Sequence, residues 1–163
     1  MGTSYWLCLF TGKTWDEFVA SGSHTVGFRD LRWTSAKRIH PPDVLLCYVT
    51  LVSRWIGALE VLDDAYWDET PIWSDDVFPA RIPVKPLVQL APENSIPVRD
   101  LSDKLTYFKR GANPNSWRGH FLQAPRVERP ENATAVVDAL RAAETHPHSN
   151  PVKPTLWNKP APK

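Results

Sequence analysis

The sequence is poor in the residues and runs that mark several large classes of protein. It has two cysteines and one methionine among 163 residues, and its formal net charge is only +1. No apolar run reaches the length of about 18 residues that a membrane-spanning helix needs, so we predict no transmembrane segment. The N-terminal stretch has no basic region before its short apolar run, so we expect no signal peptide.

Both cysteines lie inside apolar runs. Cys8 and Cys47 are therefore expected to be buried free thiols that behave as small apolar side chains. The chain has no C-x-x-C pair and no cysteine and histidine cluster with zinc-binding spacing, so we predict no metal site. Free thiols are typical of a reducing compartment, which favours a cytoplasmic protein.

The signatures of common catalytic sites are also missing. The chain has no G-x-S-x-G turn and no glycine-rich phosphate loop, so we predict neither a nucleophile elbow nor a nucleotide cofactor. Two pairs of adjacent acids, Asp63-Asp64 and Asp75-Asp76, lie in a loop, where we expect solvated carboxylates rather than a glycosidase-like pair. The chain is therefore predicted not to be an enzyme and to need no cofactor.

Apolar runs, turn residues and prolines divide the chain into strands and helices. The predicted strands are Tyr5–Phe10, Val44–Leu51, Trp55–Leu62 and Pro79–Leu90. The predicted helices begin near Thr14, Thr34, Leu101 and Pro130 and end near Gly22, His40, Gly111 and Glu144. Pro83 and Pro86 remove donors from the ladder, so their strand must be an edge strand or a bulged one. Segregated helices and short strands predict an α+β fold built on a small, partly open barrel.

The composition changes at Thr145. Residues 145–163 hold five prolines and three lysines and no acidic residue. We predict one folded domain, residues 1–144, followed by a proline-rich, disordered tail in which Trp157 is exposed.

Eight tryptophans are more than a core of this size needs, and the surplus is the strongest functional signal. Trp6, Trp15 and Trp55 lie in periodic elements and are expected in the core. Other rings lie in loops or at strand ends among arginines, where aromatic side chains stack on nucleobases or enclose a methylated group. The candidate pocket residues are Phe28, Trp33, Tyr48, Trp73 and Trp117, with Ser53, Arg54 and His120 beside them. The competing interpretations are core rings, a plain hairpin turn at Ser53-Arg54 and a surface loop around His120.

Charge is segregated along the chain although the total is small. Residues 28–54 carry a net +3, residues 60–76 a net −7 and residues 104–129 a net +5. If the two basic segments converge in space they form a positive face, whereas ordinary solvated charge is the alternative. The candidate phosphate contacts are Arg29, Arg32, Lys37, Arg54 and Arg118.

Six short motifs follow one another along the chain. They are Tyr5-Trp6-Leu7, Gly27-Phe28, Asp43–Thr50, Ser53–Gly57, Pro71–Pro79 and Trp117–Phe121. In this order, over about Ser4 to Ala143, they resemble the EVE domain of stand-alone bacterial proteins. The resemblance implies a small mixed β-barrel of the PUA-like type with flanking short helices and a C-terminal helix. Such domains are related to YTH domains and are associated with modified bases of DNA or RNA that are flipped into an aromatic cage.

The resemblance also implies roles for single residues. Trp73, followed by Ser74, matches the position of a cage tryptophan, and Tyr48, Ser53 and Arg54 would line the cavity. Phe28 stands where some relatives have a tryptophan.

Three functions remain open from the sequence. The first is a reader of a modified nucleobase in DNA or RNA. The second is a sensor of a small aromatic ligand, such as a free base or nucleoside, because the acidic segment would repel a phosphate backbone. The third is an enzyme that acts on modified nucleic acid and uses His120 with a carboxylate.

Overall fold

The computed structural model describes residues 2–108 and 114–160 of the chain. Within these two ranges eight strands form one curled, half-barrel sheet. The strands are β1 (Tyr5–Phe10), β2 (Thr25–Phe28), β3 (Val44–Val49), β4 (Arg54–Val61), β5 (Tyr66–Trp67), β6 (Ala80–Gln89), β7 (Ile96–Pro97) and β8 (Arg126–Val127). The α-helices of this part of the chain are α1 (Gly12–Ala20), α2 (Trp33–Ala36), α3 (Pro130–Thr145) and α4 (Pro154–Trp157). Short 3₁₀ turns occupy Asp30–Arg32, Pro92–Asn94, Val98–Leu101, Thr106–Phe108 and Ser116–Phe121.

The sheet runs in the order β2-β6-β4-β3-β1-β8, with β5 paired to β6 and β7 to β4. Strands β1 and β3 are parallel, and the other pairs are antiparallel. The predicted α+β class and the β3–β4 hairpin are confirmed. The crossover that a parallel pair needs contains α1, β2 and α2.

Strand β6 shows how a strand with two prolines fits inside a sheet. It pairs with β2 through residues 80–83 and with β4 through residues 84–89, so Pro86 lies in the half that pairs with β4. The β4–β6 register shifts between Ala58 and Leu59, which confirms the bulged alternative. Pro83 cannot donate to the ladder, but its carbonyl accepts from the backbone N–H of Leu62 at 2.9 Å.

Close packing of backbone and rings at the centre explains Gly57 on β4. A Cβ atom there would lie 2.8 Å from the carbonyl oxygen of Val88 and 3.2 Å from the ring of Trp15. Glycine is therefore required at this position, because β6 and the Trp15 ring approach the backbone of β4 closely. Trp6, Trp15 and Trp55 are buried as predicted.

Cys8 and Cys47 face each other across the β1–β3 pair, and both are buried free thiols. Burial is the main cause that raises the pKa of the Cys47 thiol, and a hydrogen bond with Cys8 adds to the rise.

Helix α1 begins earlier than predicted. Thr11, not Thr14, is the N-cap: its side chain accepts from the Thr14 N–H at 3.1 Å, and the Thr14 hydroxyl accepts from the Thr11 N–H at 2.9 Å. This reciprocal pair is a capping box, so the first turn starts at Gly12. Glu17 has capping-box spacing from Thr14, but its carboxylate accepts from the Ser74 N–H at 3.1 Å. The expected end of the helix is confirmed, since Gly22 has φ +111° just beyond it.

Two other predicted helices differ in the structure. The second begins one residue before Thr34 and ends at Ala36, after a 3₁₀ turn at Asp30–Arg32. The stretch from Leu101 to Phe108 is not an α-helix: one 3₁₀ turn ends at Leu101 and another occupies Thr106–Phe108, where the Asn132 side chain accepts from the Thr106 N–H at 2.9 Å. Its predicted end, Gly111, lies outside the described residues. Helix α3, by contrast, begins at Pro130 as predicted.

The segment after α3 packs on the rest of the protein. Trp157 is 6% exposed and its Nε1–H donates to the carboxylate of Asp16 at 2.8 Å, so its predicted exposure is wrong. Residues 145–160 lie against the domain rather than extending freely, because the guanidinium of Arg54 donates to the carbonyls of Asn150 and Pro151. A Cβ atom at Gly12 would clash with the carbonyl oxygen of Trp157. The boundary between a domain and a tail at residue 144 stays a prediction.

None of the helices in the described ranges is long and apolar enough to cross a membrane.

Candidate functional site

A cavity of about 430 Å³ opens where the ends of β1 and β3 meet β2 and the first turn of α1. We call it the first cavity. Its lining consists of Leu9, Phe10, Thr11, Thr14, Gly27, Phe28, Arg29, Arg32, Thr50, Leu51, Phe78, Phe121, Leu122 and Ala124. Its volume lies within the range of small-molecule sites, which is about 300–1,000 Å³.

The lining chemistry separates an apolar interior from a basic mouth. Phe10 and Phe28 are almost fully buried, and Phe78 is half-buried. Arg29 is exposed and Arg32 half-buried. Phenylalanine rings offer flat faces to a planar group, whereas guanidinium groups bind phosphate, so the cavity suits a planar aromatic group attached to an anion.

Trp73 stands directly behind this lining. A Cβ atom on Gly27 would lie 2.7 Å from the Trp73 ring, so only glycine lets the indole approach β2 this closely. The indole is 6% exposed, meets Phe78 edge-on at 5.5 Å between ring centroids, and donates from Nε1 to the Thr14 carbonyl at 3.3 Å. Trp73 therefore supports the wall of the cavity and is not part of its lining.

A buried arginine that the sequence analysis did not identify organises this wall. Arg81 on β6 is 1% exposed. Its guanidinium donates to the carbonyls of Thr70, Val77 and Phe78, and its Nη1 lies 3.5 Å from the carboxylate of Asp68. The same group lies 5.5 Å from the centre of a Trp73 ring. The Arg81 side chain thus holds in place the loop that carries the rings of Trp73 and Phe78.

The acidic segment is also tied to α1 and to the mouth of the cavity. Lys13 pairs with Asp75 at 2.9 Å, and the hydrogen bond between them raises the pKa of Lys13. Arg29 lies 3.7 Å from Asp76. Hydrogen bonds from Thr70 lower the pKa of Asp68. Several of the seven acids are therefore neutralised locally, which weakens the repulsion that the sequence suggests.

A smaller cavity of about 110 Å³ adjoins the first, and we call it the second cavity. Its lining consists of Tyr48, Thr50, Leu51, Ser53, Trp117, Arg118 and Phe121. Thr50, Leu51 and Phe121 line both cavities. The β3–β4 turn, residues 50–53, therefore forms part of the boundary between them.

Backbone strain is concentrated at these two cavities. Among the described residues four non-glycine positions have left-handed φ, and three of them, Leu51 (71°), Ser53 (57°) and Phe78 (47°), line a cavity. A bulky residue in this conformation is an outlier that costs on the order of 1–3 kcal/mol, and such residues cluster at functional sites.

The structure divides the predicted site residues among these places. Phe28, Arg29 and Arg32 line the first cavity, whereas Tyr48, Ser53, Trp117 and Arg118 line the second, and Trp73 lies behind the first. Trp33, Lys37, Arg54 and His120 line neither cavity.

Each of those last four residues has another contact. Trp33 meets Trp67 edge-on at 5.6 Å, with the ammonium group of Lys37 5.3 Å from its ring. The guanidinium of Arg54 donates to the carbonyls of residues 150 and 151, and burial lowers the pKa of Arg54. His120 pairs with the buried carboxylate of Glu128 at 2.8 Å and stacks on Tyr107 at 3.9 Å.

Several lining residues were not predicted from the sequence, including Phe10, Thr14, Leu51 and Phe78. Phe10 was assigned only to a buried strand, although it lies at the open end of β1. The spacing of Thr11 and Thr14 could have indicated that α1 begins directly after β1, because two such residues three apart can form a capping box. The role of Arg81 had no local signal, since its acceptors come from the loop that precedes it.

Comparison with solved structures identifies the fold. The YTH domain of Pho92, solved in complex with m6A, matches 90% of this chain and 88% of its own with a TM-score of 0.66 and 12% identity. The YTH domain of the Zygosaccharomyces rouxii MRB1 protein, in complex with N6-methyladenosine RNA, matches 90% of each chain with a TM-score of 0.63 and 11% identity. The Mmi1 YTH domain in complex with RNA matches 88% and 80% at 0.61 and 12%. This chain has a YTH-like fold.

The YTH-like fold is recognised from the course of the backbone alone. No protein-family model matches the chain, and no curated protein matches it either. The two cavities of this YTH-like fold are therefore interpreted from their own chemistry.

Proposed function

We propose that the protein is a non-catalytic binding module of the EVE type, within the PUA-like group, that holds a modified nucleobase of DNA or RNA in its first cavity. The observation that carries this proposal is the combination of four phenylalanines in the lining with two arginines at the mouth. The YTH-like fold supports it, because Pho92 and MRB1 with that fold were solved with N6-methyladenosine.

Aromatic side chains in the first cavity can offset the free energy that is needed to flip a base. Flipping a base out of a duplex costs a few kcal/mol, and stacking on aromatic side chains contributes about 1–3 kcal/mol per base. Arg29 and Arg32 would contact phosphates, which makes binding depend on salt. Because the net charge of the protein is only +1, discrimination must come from the cavity rather than from overall attraction.

The non-catalytic part of the proposal rests on the groups that reach the ligand. The described residues that line the first cavity offer threonine hydroxyls and guanidinium groups and no carboxylate or imidazole. His120, the histidine considered for catalysis, is held by Glu128 instead. A cytoplasmic location is proposed with it, from the two buried free thiols.

The test compares oligonucleotides of one sequence that carry N6-methyladenine, 5-methylcytosine or no modification, as DNA and as RNA, at two salt concentrations. We expect at least a tenfold preference for one modified form, equivalent to about 1.4 kcal/mol. Phe28→Leu keeps an apolar side chain but removes the ring face, and should reduce the preference severalfold. Phe18→Leu, a buried ring outside the cavity, is the matched control and should leave it unchanged.

Equal affinities for all oligonucleotides at both salt concentrations would contradict the proposal. The small-ligand alternative has one observation in its favour, the Arg29–Asp76 pair at the mouth, which competes with a phosphate backbone. Thermal stabilisation by a modified nucleoside, with none by the oligonucleotides, would support that alternative.

A further inference from the structure

The second cavity has a chemistry of its own. Arg118 brings a guanidinium group, and Ser53 and Tyr48 bring hydroxyl groups, whereas the Thr50 hydroxyl donates to the Phe10 carbonyl at 3.2 Å. None of its described lining residues is acidic. A small cavity with a cation, hydroxyl groups and no carboxylate favours an anion with several acceptor oxygens.

Two arginines concentrate positive charge around the ring of Trp117. The guanidinium groups of Arg118 and Arg99 lie 4.8 and 5.2 Å from the centre of its ring, and both arginines are exposed. The indole is 3% exposed, and its Nε1–H has no acceptor among the described residues. Buried tryptophan N–H groups normally have a partner, so this donor is an exception among the buried polar groups beside the cavity.

Tyr48 is held as a donor at neutral pH. Burial raises the pKa of its hydroxyl, while a hydrogen bond with Ser53 and the charge of Arg118 partly oppose the rise. The phenol therefore keeps its proton over the physiological range. Its ring stacks on Phe121, which lines both cavities.

The size and place of the second cavity restrict the ligand further. At about 110 Å³ it is well below the range of about 300 Å³ and more that whole small-molecule ligands occupy, so it suits a single compact group. It shares three lining residues with the first cavity, so the two ligand groups would be neighbours. In a nucleotide the phosphate is joined to the base through one sugar, which matches two adjoining cavities.

We infer that the second cavity is a phosphate subsite, with Arg118 as its cation, that holds a phosphate of the nucleotide whose base enters the first cavity. The inference rests on the proposed function, because a nucleobase in the first cavity implies that the group in the adjoining second cavity is its phosphate. It distinguishes a nucleotide from a nucleoside as the preferred ligand.

The experiment measures calorimetric affinities for N6-methyladenosine and 5-methylcytidine, each as the nucleoside, the 5′-monophosphate and the 3′-monophosphate, and for inorganic phosphate. We expect one monophosphate to bind at least about tenfold more tightly than its nucleoside. Inorganic phosphate should compete with that monophosphate and not with the nucleoside. Arg118→Gln should reduce the advantage of the phosphate to about twofold or less.

Two further variants separate the possible failures. Arg126→Gln removes an exposed arginine that lines neither cavity and should keep the full advantage. Phe28→Leu should weaken nucleoside and monophosphate alike. If nucleoside and monophosphates bind equally, or if Arg118→Gln behaves as Arg126→Gln, the phosphate subsite is refuted. If phosphate binding depends on Arg118 while the oligonucleotide comparison shows no preference for a modified base, the subsite stands and the proposed function fails.

Discussion

The ring of Tyr48 stacks on the ring of Phe121 with 3.8 Å between centroids and 9° between planes. Tyr48 lies at the end of β3, and Phe121 ends a 3₁₀ turn more than 70 residues later in the chain. This stack places a residue of the second cavity against one that both cavities share. This long-range contact between aromatic side chains therefore joins the turn at Ser116–Phe121 to the boundary between the two cavities, which Thr50 and Leu51 also form.

Leu51 provides a direct test of the strain at the boundary between the cavities. Leu51→Ala and Leu51→Gly remove almost the same contacts, but only glycine relieves a left-handed backbone at φ 71°. We expect the glycine variant to be more stable than the alanine variant by about 1 kcal/mol, the reverse of the usual order. Both should bind nucleic acid more weakly. Denaturant unfolding and the oligonucleotide titration measure the two effects.

Leu62 is the matched control, because it is exposed to a similar degree and its φ is not left-handed. There the alanine variant should be at least as stable as the glycine variant. The same order at Leu51 would contradict a strained boundary.

Arg81 is expected to control the stability of the loop behind the first cavity. Arg81→Met fills the space but leaves the carbonyls of Thr70, Val77 and Phe78 without their donor. Since a hydrogen bond from a charged group contributes about 1.5–3 kcal/mol, we expect a loss of at least about 2 kcal/mol in the free energy of unfolding. Lys85→Met, an exposed cation on the same strand, should change it by no more than about 0.5 kcal/mol. Equal effects of the two variants would show that the guanidinium does not hold the loop.

Two buried tyrosines predict a loss of stability at alkaline pH. Burial raises the pKa of Tyr48 and of Tyr107 in the folded protein above the ordinary value of about 10, and the charge of Glu128 adds to the rise at Tyr107. Above pH 10 the unfolded chain releases both protons while the folded protein keeps them, so the free energy of unfolding falls as pH rises. Each tyrosine contributes a slope of about 1.4 kcal/mol per pH unit.

Tyr48→Phe and Tyr107→Phe should each remove one tyrosine's share of this alkaline slope and leave the region below pH 9 without such a slope. Urea unfolding at a series of pH values measures it. An unchanged slope in both variants would show that other groups cause the alkaline loss.

Trp157 tests whether the segment after α3 is part of the folded unit. Trp157→Ala should lower the free energy of unfolding by about 3 kcal/mol, because a nearly buried indole packed on α1 is lost. Trp157→Phe keeps most of the packing and loses the hydrogen bond to Asp16, for a smaller loss of about 1 kcal/mol. Lys159→Ala, an exposed neighbour, serves as the control. If the alanine variant unfolds like the natural protein, the segment does not stabilise the domain.

Elements with a strong local signal were predicted well. Tyr5–Phe10 has the predicted bounds, and Val44–Val49 and Arg54–Val61 lie within one or two residues of theirs, because their apolar runs are continuous and bounded by turns. The start of α3 follows from a proline at the first helical position. The start of α1 was misplaced because two overlapping capping patterns occur, and the second of them, at Glu17, is used by Ser74 instead.

The candidate site could be predicted only in part. Phe28, Arg29 and Arg32 share one cavity because they are close in sequence, at the end of β2 and just beyond it. Trp33 follows directly, yet it turns to Trp67, and nothing in the local sequence distinguishes it from Phe28. Trp73 was expected in the lining and stands behind it, because Gly27 leaves space for the indole there.

The sequence by itself determined the α+β class, the high tryptophan content and the separation of basic from acidic segments along the chain. Composition and periodicity are local properties, and they were sufficient for that. Only the tertiary structure decided that the aromatic and basic residues form two adjoining cavities rather than one cage. That division depends on contacts such as Tyr48–Phe121 and Arg81–Thr70, which join parts of the chain that no local pattern relates.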